Sequence, residues 1–418
     1  PVAVPPSDAE RLSVQIDRVG NITVLWIEHA TPRDQIIASR YAAATASWST
    51  PEVLVDGHTN LPLDNVDSGI DDQGNVFVFW TQRLPSHHGE ATAVRVRRYD
   101  VSAGAWSTPR ELGAVPGYSR AKALCVAGNG EAVILWPSYT QFLVKRYAPA
   151  TKTWSPVKDL QVGSIGPGLI RCSLQKTGEI DVVWSKGESL GGSYEHVVKA
   201  RRYDAKAQSW GAETRLDSAG KHVEELRLAT SSSGDAMALW VQWDGQKRSD
   251  VWASRYVARD HEWIKGERIE TSAEPQVAAQ LAADDAGNFV AAWRSKELSA
   301  MSAFVRRFGV ATESWGEVIE LGRGRALGDP ALAVNGGGDA VVLWHQADAK
   351  TGGGHLWRIW TRVYLHKAGR WLPAETISAE GDDARLPAAA LEGSRGVAVW
   401  ATTRAPGGVV ARHLEWAP

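Results

Sequence analysis

An all-β, eight-bladed propeller of four-stranded antiparallel blades is the fold this sequence predicts, on three observations. First, eight tryptophans each close a short apolar run that starts at a turn residue: Trp26, Trp80, Trp136, Trp184, Trp240, Trp293, Trp344 and Trp400. Second, a phased motif follows each run, an Arg–Tyr pair and then Trp seven residues after the ring, as in Tyr41/Trp48 and Tyr99/Trp106. It recurs at Tyr147/Trp154, Tyr203/Trp210, Tyr256/Trp263, Phe308/Trp315 and Tyr364/Trp371, and is cut short near Trp416. Third, eight units of about 52 residues exhaust the 418-residue chain, a spacing that suits a propeller blade.

Each unit reads as strands A to D. Strand A is a weakly alternating stretch such as LSVQID, followed by a turn such as DDQGN in which Gly supplies a positive φ. Strand B is the VVLW-type run, apolar at successive positions and so buried on both faces. Strand C carries the Arg–Tyr pair, and the YDxxxxxW hairpin leads into strand D. The predicted blades span about 9–56, 57–115, 116–163, 164–219, 220–272, 273–324, 325–380 and 381–418 of a single domain. Blade eight lacks a strand D, and residues 1–8 resemble one, so the expected ring closes by pairing them with the last blade.

Composition narrows the function classes. With 46 Lys+Arg against 48 Asp+Glu, the chain is no general binder of phosphate backbones, so nucleic acid is not an expected partner. No apolar run approaches a membrane span of about 20 residues. The Asp-rich turns Asp71-Asp72 and Asp284-Asp285 depart from the calcium-loop pattern and suit turn chemistry. No metal or cofactor is expected. Cys125 lies 11 residues before Trp136 and Cys172 lies 12 before Trp184. That offset sets them on opposite pleat faces, and the expectation is two buried free thiols. A Trp-rich, Cys-poor chain that begins at Pro1 suits a monomer exported by a bacterium, to the periplasm or beyond.

The YDxxxxxW hairpin resembles that of kelch propellers. The eightfold count with a Trp in every blade is similar to the quinone-dependent dehydrogenase propellers and their outer-membrane assembly relatives. Both resemblances imply architecture only. The kelch double glycine, the quinoprotein docking pattern and the sialidase box are absent, so no active residue carries over.

Function is therefore sought where the repeat breaks. The B–C and D–A loops vary in length and chemistry and emerge on one face. The candidate ligand-binding residues there are Arg83, His87, His88, Tyr139, Tyr194, His196, Trp243, Arg248, His345, His355 and Trp357. Aromatic rings among them suit stacking on a sugar or clasping a protein, which makes a non-catalytic binding module the leading expectation. The alternative is a carbohydrate-active enzyme. His, Tyr and Arg on a propeller mouth resemble the equipment of propeller-built polysaccharide lyases, where Tyr or His takes a proton and Arg or Lys neutralises a carboxylate. Four tryptophans stand outside the repeat: Trp243, Trp252, Trp357 and Trp360, in blades five and seven.

Overall fold

The computed structural model describes residues 9–30, 33–57, 63–84, 91–116, 123–137, 142–160, 168–190, 193–217, 222–246, 248–272, 274–296, 300–349, 355–402 and 408–416. The strand D expected from residues 1–8 lies outside them. Every regular element among the described residues is a strand. The strands form eight antiparallel sheets, each built in the order A, B, C. Seven go on to strand D, which comes in two pieces: a two-residue pairing at the hairpin, then a second run further back along strand C.

The eight sheets stand in a ring as an eight-bladed propeller. Their A strands run Ala9–Ile16, Leu63–Ile70, Ala123–Val126, Ile170–Leu174, His222–Thr230, Gln276–Ala283, Ala331–Val334 and Ala384–Glu392. Each touches the next, and the last touches the first, so these strands surround the axis. The core is not central. It is divided into eight seams between neighbouring blades. Every seam takes one strand B tryptophan, turned toward the preceding blade and at most 2% exposed. Trp26, for example, packs with Val397 and Val399 across the seam between blades eight and one. A buried Trp removes a large apolar area from water, so one residue per blade supplies much of each seam.

The second aromatic set works within and between blades. In all seven hairpins the strand C ring and the strand D Trp are cross-strand partners, with centroids 5.2 to 5.6 Å apart. The Arg before the ring reaches the aromatic of the next blade: Arg40 over Tyr99 at 3.7 Å, Arg202 over Tyr256 at 4.5 Å, Arg307 over Tyr364 at 5.1 Å. These arginines are struts between blades.

The A–B turns are closed by their own side chains. Asp71 accepts from the Gln73 and Asn75 amides, and the Asn75 side-chain Oδ1 accepts from the Val101 N–H of the C–D hairpin. Asp284 and Asn288 repeat this in blade six. Gly74, at φ +88°, takes the left-handed turn position. Turn chemistry thus accounts for these aspartates.

The cysteines correct the sequence reading. Cys125 and Cys172 form a disulfide between the A strands of blades three and four, with Cα atoms 5.8 Å apart. The one-residue offset does put them on opposite faces of their own blades. In a ring, however, opposite faces of neighbouring blades meet at one seam, so the offset brings the sulfurs together.

Candidate functional site

At the end of the axis where the A strands begin and the B strands finish, a cavity of 790 Å³ opens. Its walls come from the starts of A strands and the ends of B strands, where Arg11, Arg227, Arg294, Asp329 and His345 converge. An arginine on an innermost strand has little but the axis to point toward, so strand A charges gather in the channel. Arg171 is enclosed there; burial and the neighbouring Arg227 pull it down to about 10, while Asp67 and Glu225 oppose them.

His345 ends the apolar part of strand B in blade seven (Ala340–Ala349) and turns into the cavity wall. It fits because Gly328 lies flush against its ring; a side-chain carbon there would collide with the imidazole. The Gly328 amide donates to the His345 carbonyl at 2.8 Å, which fixes the D–A loop to the strand end. Burial pulls the imidazole down to about 4, Asp329 resisting and Arg385 and Arg294 assisting. His345 is therefore a neutral base at ordinary pH. Its buried Nδ1 meets no hydrogen-bond partner among the described residues.

The surroundings are charged and tied. Arg294 Nε donates to Asp329 at 2.7 Å. Trp357, on strand C of blade seven (His355–Leu365), meets His345 edge-on at 4.9 Å. The Arg385 guanidinium lies over the Trp357 ring at 5.1 Å and pairs with Asp383 at 3.1 Å. An imidazole held neutral beside two guanidiniums can accept a proton next to an anion that they neutralise.

The other expected site residues are dispersed. His196, on strand C of blade four (Ser193–Asp204), packs edge-to-face on His222 of blade five at 4.6 Å; burial, and then His222, lower its pKa. Trp243 stands at the end of strand B in blade five, 36% exposed. Arg248 is bound into the blade: it pairs with Asp250 and with Glu270 at 3.1 Å and donates to the Ser272 carbonyl at 2.6 Å. Arg83 is half-buried on strand B of blade two, opposite Thr92. Tyr194 and His355 start C strands, opposite Ser189 and Ala349, and their side chains lie outside the described residues. His87, His88 and Tyr139 also lie outside them. The structure thus sets Trp357 against His345 at the cavity wall and, among the described side chains, leaves Arg83, His196, Trp243 and Arg248 apart.

Sequence reasoning missed Arg11 and Arg227 because they lie on strand A, read only as weakly alternating. The available signal was charge on a strand that geometry makes innermost. Among the described residues no group of three or more metal-ligating side chains forms, and no helix is long and apolar enough to cross a membrane.

No protein-family model and no curated protein sequence matches the chain. Solved structures do. A polysaccharide lyase, an ulvan lyase solved bound to -[GlcA(1-4)Rha3S]-, superposes with a TM-score of 0.50 at 11% identity, over 85% of this chain and 95% of that one. The propeller called Dos1 gives 0.52 at 9% identity over 94% and 90%. The β-propeller domain of the trilobed protease of Pyrococcus furiosus gives 0.50 at 7% identity over 90% and 99%. At these identities the likeness is one of fold: the chain is similar to propellers, enzymes among them.

Proposed function

We propose that the protein is a lyase of acidic polysaccharides, acting at the axial cavity. The observation that carries this is a neutral, half-enclosed His345 set in a cavity whose other walls present Arg11, Arg227 and Arg294. A uronate bound there has its carboxylate neutralised by arginine, which acidifies the proton on the adjacent ring carbon. His345 takes that proton, and its electron pair forms the new C4–C5 double bond. The bond from C4 to the glycosidic oxygen breaks, and that oxygen leaves with a proton from water. The ulvan lyase shares the fold, which makes the chemistry compatible with this architecture. An exported location fits the disulfide, since such bonds persist in oxidising compartments.

The non-catalytic binding module uses the same cavity and differs only in turnover. A panel of uronate polysaccharides, followed by the ultraviolet absorbance of unsaturated products, separates them. Product formation that His345→Ala abolishes, with binding kept, supports the lyase. Binding without product on every polymer overturns it in favour of the module.

A further inference from the structure

Strand A begins with a bulge in which two residues stand opposite the single strand B tryptophan in blade two (Asn65–Val66 opposite Trp80) and, with a left-handed first residue, in blades one, six and eight. In those three the pairs are Arg11–Leu12 opposite Trp26, Ala278–Ala279 opposite Trp293, and Leu386–Pro387 opposite Trp400. The first residue of each is left-handed, with φ of 52°, 59° and 54°. Non-glycine residues hold that conformation at a cost of about 1–3 kcal/mol, and such strain collects where a site needs it. In blade six it turns two consecutive N–H groups toward one carboxylate, as a small anion nest.

Blade six shows what the nest takes. Glu225, from the preceding blade, gives one carboxylate oxygen to each amide: Ala278 N–H donates at 2.6 Å and Ala279 N–H at 2.9 Å. A planar carboxylate matches the pair, one oxygen per donor. Blade eight cannot repeat this, because Pro387 has no N–H. Blade one has both amides, but the blade before it carries no acid at the register of Glu225. At the register of Glu225, one position past the strand B tryptophan, blade eight carries Arg385, and then Leu386 and Pro387. Arg11, Leu12, Leu386 and Pro387 all line the axial cavity.

We infer that the Arg11 and Leu12 amides form a carboxylate subsite of the cavity, receiving from the ligand the group that Glu225 supplies to blade six. The uronate identity of that ligand rests on the reading above; the nest itself does not.

Leu12→Pro removes one donor and is tolerated by this backbone, since blade eight carries proline at the same bulge position. Isothermal titration with a glucuronate oligosaccharide should show affinity reduced about tenfold in Leu12→Pro, and unchanged for the carboxyl-reduced, neutral oligosaccharide. In the wild-type protein, titration with acetate should move the amide resonances of Arg11 and Leu12. Equal affinities in the two proteins, or amides that acetate leaves unmoved, overturn the subsite. Amides that respond to acetate while no uronate polymer is bound or cleaved leave the nest standing and sink the lyase. Cleavage with unmoved amides does the reverse.

Discussion

Blades five and seven break the repeat in the same way, each with two tryptophans beyond the common pattern, yet the structure spends them differently. Trp252 and Trp360 are equivalent. Each faces the strand B tryptophan of its own blade in a stack, Trp240 with Trp252 at 6.5 Å and Trp344 with Trp360 at 6.3 Å. Blade six holds Phe304 at the same place against Trp293. The remaining two diverge. In blade five the polar side chains near Trp243 satisfy one another: Asp244 accepts from the Gln246 and Arg248 amides, and Arg248 is consumed by Asp250 and Glu270. In blade seven Trp357 backs an imidazole that faces the axial cavity. A departure from a repeat marks a candidate; whether the polar groups are already paired decides if it can act.

The contrast can be broken most sharply at His345. His345→Ala should cut turnover of a uronate polymer by about 10²–10⁴ while the melting midpoint barely moves. The reverse holds for Arg248→Ala. It leaves the buried Glu270 carboxylate with Arg268 as its one remaining guanidinium among the described residues and should cost about 1–2 kcal/mol in denaturant unfolding, with kcat unchanged. A fall in kcat there would move the working site to blade five.

Acid should expose the same asymmetry. The His345 imidazole titrates near 6.5 in the unfolded chain and at about 4 when folded, so between those values only the unfolded chain takes the proton. Stability attributable to the neutral ring is whole above pH 6.5 and drains as pH falls toward 4, by something on the order of 3 kcal/mol. His345→Asn should lack that share of the slope in urea melts at stepped pH. The acid limb of kcat/KM should likewise sit near 4 and not 6.5.

Smaller effects test the equivalence of the stacked pair. Trp252→Ala and Trp360→Ala should each cost about 2–3 kcal/mol, and unequal costs would mean that one of them is not architecture. Trp243→Ala, on an exposed strand end, should stay within about 0.5 kcal/mol.

The repeat was legible because each blade restates it. Trp26 and its seven counterparts recur at a blade's spacing, and nothing but a ring of like sheets uses such residues so often. The site was legible only where it interrupts that pattern, which is why His345 and Trp357 stood out. Arg11 and Arg227 are single charges on strands with a faint pattern. Their importance comes from the axis that eight strands share, and no local window contains that axis. The disulfide misled for a related reason. Pleat parity was judged within one sheet, whereas Cys125 and Cys172 meet between two.

That disulfide also sets a mechanical asymmetry on a nearly symmetric object. Of the eight seams only the one between blades three and four is covalent among the described residues. Counting round the ring, the seam diametrically across from it lies between blades seven and eight, beside His345 and Leu386. The molecule is riveted at its back, like a collar fixed at the nape. The seven other seams are held noncovalently among the described residues, so the seam beside the axial cavity is the one farthest from the covalent tie.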